Sequence, residues 1–130
     1  MLENHSPTEN KLEMMPNPNS HGLTPMIKQY LEIKEEYFDE ILFYRMGDFY
    51  EMFFNDAKVA SSVLDITLTK RGQWNNNDIP MCGIPFHSSE SYLSKLISNG
   101  YRVAVCEQIN EIENYVKKNK GPMKRKVVRV

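Results

Sequence analysis

A chain of 130 residues, 41% hydrophobic and 25% charged, can bury one hydrophobic core but not two comfortable ones, so a single soluble domain is expected. No apolar run approaches the ~20 residues of a membrane helix. The opening MLENHSPTENKLEMMPNPNS lacks the basic-then-apolar order of a secretory signal, so neither membrane insertion nor export is expected and the expected location is cytoplasmic. The net charge of −1 conceals an asymmetry: all 17 acidic residues lie at or before Glu113 beside nine Lys or Arg, a net −8, whereas the rest of the chain holds seven Lys or Arg and no acid, a net +7. A block this basic is a solvated tail or a stretch that meets phosphates, and composition alone favours the tail.

Residues 1–22, rich in Asn, Pro, Ser and Glu without a hydrophobic period, read as a disordered polar leader to a domain over 23–130. Thr24 then stands as an N-cap with Pro25 at the first helical position, and Ile27, Tyr30 and Leu31 recur at helical spacing, predicting an amphipathic helix over 25–37. The β-branched and aromatic run EILFYRM predicts a strand that meets Gly47-Asp48.

The segment after that turn, FYEMFFNDAKVASSVL, admits two readings. In one unbroken helix, at about 100° per residue, Phe49 would share a face with Phe53, Ala57, Ala60 and Leu64, and Glu51 would point about 200° away. In the alternative, Gly47-Asp48 is a two-residue hairpin turn of type II′ with Gly first, and Phe49 opens a second strand. Phe49 and Glu51 then share a face, with Tyr50, Met52 and Phe54 on the other against Ile41, Phe43 and the Arg45 stem. The hairpin also turns Asn55-Asp56 into the start of a short helix over Ala57 to Leu64, and it is the preferred reading. On it, the face carrying Phe49 and Glu51 is the freer one.

Further on, DITLTK alternates as a strand, RGQWNNND reads as a Gly- and Asn-rich loop, and IPMCGIP as a short strand between prolines. Ser88 or Ser89 caps a helix through SYLSKLISNG that Asn99-Gly100 stops. YRVAVCEQI reads as a buried strand and KVVRV as one more. Strands alternating with helices, two of them in a hairpin, predict an α/β class with a mixed β-sheet carrying an N-terminal hairpin and flanked by helices.

For chemistry, there is no phosphate loop, dinucleotide fingerprint, nucleophile elbow or zinc-protease motif. Asp48, Glu51, Asp65 and Lys70 could sit at strand ends as in a metal-dependent nuclease, but their spacing fits no such site well and solvated charges are the simpler reading. Cys82 and Cys106 stand apart, without a CxxC pair, and read as reduced structural thiols rather than a redox pair. With His5 and His21 in the leader, only His87 remains, which is too little for zinc. A binding role has better material, because an exposed aromatic with a carboxylate on its own face can wedge between base steps while the carboxylate meets a base edge. A glutamate there must meet a base donor or take a proton. The residues alone leave this open beside a buried Phe49, and composition favours the buried one.

The segments TPMIKQYLEIKEEY, LFYRMGDFYEMFFNDAKVAS, LDITLTKRG, IPMCGIPFHSSESYLSKLISNGYRVAVCEQI and KGPMKRKVVR, in this order, resemble the N-terminal mismatch-recognition domain of the MutS family of DNA mismatch repair ATPases. The resemblance covers Thr24 to Val130 and is most specific in GDFYEMF, TKRG and CGIP, where Cys82 replaces a usual alanine or similar small residue. It implies that the Phe-x-Glu pair, here Phe49 and Glu51, stacks on and hydrogen-bonds a mispaired base from the minor groove. It further implies that Lys70 and Arg71 of TKRG, and Arg125 and Lys126 of the strand after GP, meet the DNA backbone. MutS proteins continue into connector, lever, clamp and ATPase domains whose phosphate loop is missing here. The chain is therefore expected to be a recognition fragment, not an enzyme, with no cofactor of its own. ATP and Mg²⁺ are expected in a homodimeric parent, with mismatched duplex DNA and the remaining MutS domains as partners.

Overall fold

The computed structural model describes residues 15–109 and 124–130. Helix α1 (Pro25–Glu36) starts as its sequence dictates: Thr24 is the N-cap, its Oγ1 accepting from the Ile27 N–H at 3.3 Å, with Pro25 at the first turn. Strands β1 (Ile41–Met46) and β2 (Phe49–Phe53) come next, then α2 (Phe54–Leu64), β3 (Thr69–Trp74), β4 (Asn77–Pro85), a 3₁₀ turn (Phe86–Ser88), α3 (Ser89–Ser98), β5 (Val103–Gln108) and β6 (Arg125–Arg129). The strands form one sheet in the order β3-β4-β2-β1-β5-β6. It is mixed, since β1 and β5 run parallel and every other neighbouring pair antiparallel. The expected α/β class with an N-terminal hairpin is the one found.

The hairpin register is Tyr44↔Glu51, Arg45↔Tyr50 and Met46↔Phe49. Gly47 alone in the turn has positive φ, +60°, and Asp48 does not, the pattern of a type II′ turn. With a period of two, Tyr50 and Met52 join Ile41, Phe43, Cys82, Ile84 and Val105 beneath α2 and α3. Phe53 faces the other way, with Leu42, Tyr44, Ala104 and Cys106 beneath α1. The sheet is thus covered on both faces.

Four sequence expectations require correction. Phe54 does not continue the strand on the Tyr50 side; at φ +56° it breaks the alternation, opens α2 three residues before Ala57, and packs among the α1-facing residues. DITLTK is not one strand, because Asp65 ends α2 in the left-handed region and pairing begins only at Thr69. RGQWNNND is not a loop but most of a hairpin: Asn75 and Asn76 both have positive φ, 54° and 65°, so the turn is type I′ and closes Trp74↔Asn77. Its polarity misleads because β3 is exposed almost throughout, leaving no buried face to impose alternation. Finally, the face of β2 bearing Phe49 and Glu51 is not generally the freer one, since Phe53 packs with α1 residues and Glu51 is buried, leaving Phe49 alone exposed on it. Residues 1–14 of the leader and 110–123 of the basic stretch lie outside the described residues. Residues 15–22 run beside α1, where Pro16 and Pro18 are buried and the His21 carbonyl accepts from Trp74 Nε1 at 3.2 Å.

One polar contact crosses the interior. Lys34 of α1 and Asp56 of α2, 2% and 4% exposed, pair at 2.9 Å. Asp56 Oδ2 also accepts from the Leu42 N–H at 3.0 Å and the Tyr30 hydroxyl at 3.4 Å, and Lys34 Nζ donates to the Glu40 carbonyl. Replacing Asp56 with Ala should cost about 3–5 kcal/mol, because it strands a buried ammonium; urea unfolding that shows a loss below about 1 kcal/mol, the scale of a surface pair, would refute this account of the junction.

Candidate nucleic-acid interface

At the head of β2 the alternation that buries Phe53 aims Phe49 the same way, yet Phe49 is 47% exposed. Its neighbours across the ladder are Met46 on β1 and Pro85 on β4. Two residues inward on the same face, the Glu51 side chain is 10% exposed. Its Oε2 accepts from Arg71 Nη2 at 3.1 Å, while its Oε1 is buried and accepts from none of the described residues. Gly83 stands opposite Glu51 on β4 and leaves room beside it, since a Cβ there would lie 3.8 Å from Glu51 Cγ. Burial holds the Glu51 carboxyl above its ordinary value, against the opposing pull of Arg71 and then Arg125. The outcome is a carboxyl with one oxygen committed and one unused, next to an exposed aromatic.

The basic candidates divide between the two edge strands. On β3, Lys70 is two-thirds exposed and lies 3.6 Å from Asp78, while the neighbouring Arg71 crosses the sheet face to Glu51. On β6, Lys126 is exposed. Arg125 beside it is buried, its Nε donating to the Arg45 carbonyl at 2.8 Å and its guanidinium lying 4.4 Å from the centre of the Tyr44 ring. Arg125 thus supports the hairpin from below and contributes field to Glu51 more than it reaches outward. By register Lys70 pairs with Pro80, well along β4 from the Pro85 that faces Phe49, and Arg71 starts beside Lys70 but sends its guanidinium back to Glu51.

Sequence reasoning passed over the opposite side of the same tip. There Arg45 Nη1 donates to Glu107 Oε1 at 2.8 Å, its guanidinium stacks 3.5 Å from the centre of the Phe86 ring, and the Tyr50 hydroxyl donates to Glu107 Oε2. No local pattern announces these partners, because they come from β1, β2, β5 and the 3₁₀ turn. For the nuclease alternative, Asp48 lies in the hairpin turn, Asp65 at the end of α2 and Glu51 within β2. Among the described residues no three His, Cys, Asp or Glu gather where they could hold a metal ion. Cys82 and Cys106 are both buried, and burial pushes each thiol up to about 12, the opposite of what a reactive thiolate needs. No helix among the described residues is long and apolar enough to cross a membrane.

Against known families, residues 24–130 match the model of MutS domain I. The chain belongs to the MutS domain I family. It is 60% identical over 107 residues to the DNA mismatch repair protein MutS of Staphylococcus haemolyticus (strain JCSC1435), a match covering 82% of this chain and 12% of the relative. It is 56% identical over 109 residues to the MutS of Staphylococcus aureus (strain JH9), covering 84% and 12%. This MutS domain I therefore spans about an eighth of the length of those relatives, and the match begins at Thr24, the α1 N-cap.

Two measurements on the domain itself test this geometry. Phe49→Ala should leave its stability within about 0.5 kcal/mol of the parent, as at other exposed sites, whereas Phe53→Ala, four residues on and fully buried, should cost about 3–5 kcal/mol; equal losses in denaturant unfolding would mean that Phe49 is a core residue. For Glu51 the sign is set by its raised pKa: its contribution to stability is full below the ordinary value of 4.5 and is lost as pH rises through the raised one. Glu51→Gln should accordingly flatten the decline of melting temperature with rising pH above 4.5, and curves that stay parallel to those of the parent would contradict the assignment.

Proposed function

We propose that this chain is the mismatched-DNA recognition module of a MutS-like DNA mismatch repair protein, with Phe49 wedging at the mispair and Glu51 hydrogen-bonding the displaced base. The observation that carries the reading is the pairing at the tip of β2: Phe49, 47% exposed, shares a face with the Glu51 carboxyl, whose buried Oε1 accepts from none of the described residues, an aromatic free to stack beside a polar atom that lacks a partner. Membership of the MutS domain I family supports the same reading.

The physics is selection by deformability. Inserting an aromatic from the minor groove unstacks a base step and kinks the duplex, at a cost of a few kcal/mol per step. A mispair resists that deformation less than a Watson-Crick pair, so the wedge finds the site where bending is cheapest. Glu51 suits the second task because its buried carboxyl is already biased toward the protonated form, and a neutral carboxyl can donate to a base acceptor without bringing a negative charge close to phosphates. Lys70, Arg71 and Lys126, reaching out from the two edge strands, are the backbone contacts of this reading, and Arg125 contributes its charge from beneath.

Catalysis has no part in the proposal for these 130 residues. ATP and Mg²⁺ use would belong to the rest of a MutS-length, homodimeric parent, which would also hold the duplex against the wedge. The charge distribution agrees with that division, since residues 1–113 carry a net −8 and only the stretch after them is net positive.

In a full-length MutS carrying this domain, Phe49→Ala should abolish preference for a mismatched over a matched duplex, a loss of about 1–3 kcal/mol for one stacked base; unchanged preference in a competition titration would refute the wedge. The chain alone should bind both duplexes weakly and with little discrimination at physiological salt, because a few basic contacts release few counterions. Tight, mismatch-selective binding by the isolated domain would overturn the division of labour.

A further inference from the structure

A wedge is useful only if its mounting does not yield, and Phe49 is mounted on a two-residue turn. The carbonyls of such a turn have no partner in the ladder and ordinarily face water. Here both are taken by groups from outside the turn. The Gly47 carbonyl accepts from Arg45 Nε at 2.5 Å, and the Asp48 carbonyl accepts from the Phe86 N–H at 2.7 Å. Arg45 is in turn immobilised on its other edge: Nη1 donates to Glu107 Oε1 at 2.8 Å, and the guanidinium lies 3.5 Å from the centre of the Phe86 ring. Glu107 belongs to β5, the strand beside β1, and its second oxygen accepts from Tyr50. From the opposite face Arg125 Nε donates to the carbonyl of Arg45 itself at 2.8 Å.

We infer that Arg45 is the positioning residue of the recognition tip, holding the Gly47-Asp48 turn and with it the Phe49 ring in the orientation that meets a base step. The inference rests on the wedge reading and adds to it the residue through which the fold resists the load. The requirement is for a planar fork, not for a charge. One side chain must present N–H groups in two fixed directions, to Gly47 and to Glu107, while its plane lies on Phe86. Arginine does all three, and lysine, with a single mobile ammonium, cannot.

That distinction supplies the test. Arg45→Lys keeps the charge and the apolar stem, so the chain should fold with a melting curve close to the parent's. The backbone amides of residues 47–49 should nevertheless become mobile in ¹⁵N relaxation, their order parameters falling from about 0.85, the value of rigid backbone, toward about 0.6. In a full-length MutS carrying this domain the same substitution should reduce mismatch preference roughly tenfold, the scale of one lost hydrogen bond at its upper end, while affinity for matched duplex stays the same. Arg45→Met should match or exceed both effects. Order parameters at 47–49 that do not change in Arg45→Lys would overturn the inference, as would a loosened tip that discriminates mispairs as well as the parent does. Phe49→Ala run alongside separates this from the wedge reading: if it leaves mismatch preference intact the wedge reading fails, and the relaxation data alone then decide whether Arg45 braces the turn.

Discussion

A two-residue turn leaves the strand after it no freedom of register, and in this domain both cores depend on that register. Met46 faces Phe49 across the turn, Tyr44 faces Glu51, and the ladder continues on the far side as Glu51↔Gly83 and Phe53↔Met81. A slip of one residue would exchange the two faces of β2. Tyr50 and Met52 would leave the α2 side for α1, and the Glu51 carboxyl would move from the edge of the α1 side into the apolar cluster under α2 and α3. The strand is pinned between β1 and β4, so nothing short of reassembling the sheet permits this.

Much of the fold was legible because it is local. The N-cap at Thr24, the glycine-first turn at Gly47, the alternation after it and the Asn99-Gly100 stop are each decided within a few residues, and each is where the sequence puts it. β3 was not legible as a strand, since it is exposed almost throughout and leaves no hydrophobic period to read, whereas β4, with Ile79, Cys82 and Ile84 buried, was read in IPMCGIP. Phe54 was misplaced for a different reason. Its left-handed backbone is rare for an aromatic, and it falls at the strand–helix junction, where the ring of Tyr30 of α1 lies 6.2 Å from its own, centre to centre.

The site divides the same way. That Phe49 and Glu51 share a face comes from a period of two, and so was open to a reader of the sequence. How the two differ in exposure was not, because it depends on packing from distant elements, such as Arg71 of β3 laid against Glu51. Arg125 shows the limit most clearly: as a residue in a basic stretch it looks like a phosphate contact, yet Tyr44 beneath it and the Arg45 carbonyl beside it occupy much of its guanidinium. The pairing of Arg45 with Glu107, and of Lys34 with Asp56, likewise joins residues from different elements that no short window along the chain contains.

The hydrogen bond from Arg125 to the Arg45 carbonyl joins positions 80 residues apart, and the bond from Arg45 to Glu107 joins positions 62 apart. The hairpin between them closes over two residues. During synthesis, when a chain emerges at about 5–20 residues per second, the β1–β2 ribbon is complete long before either brace has left the ribosome. Both side-chain braces of its apex thus draw on strands made well after it. The apex is braced by contacts of long sequence separation, whose loop-closure cost comes before their reward, so its geometry depends on nearly the whole domain being present.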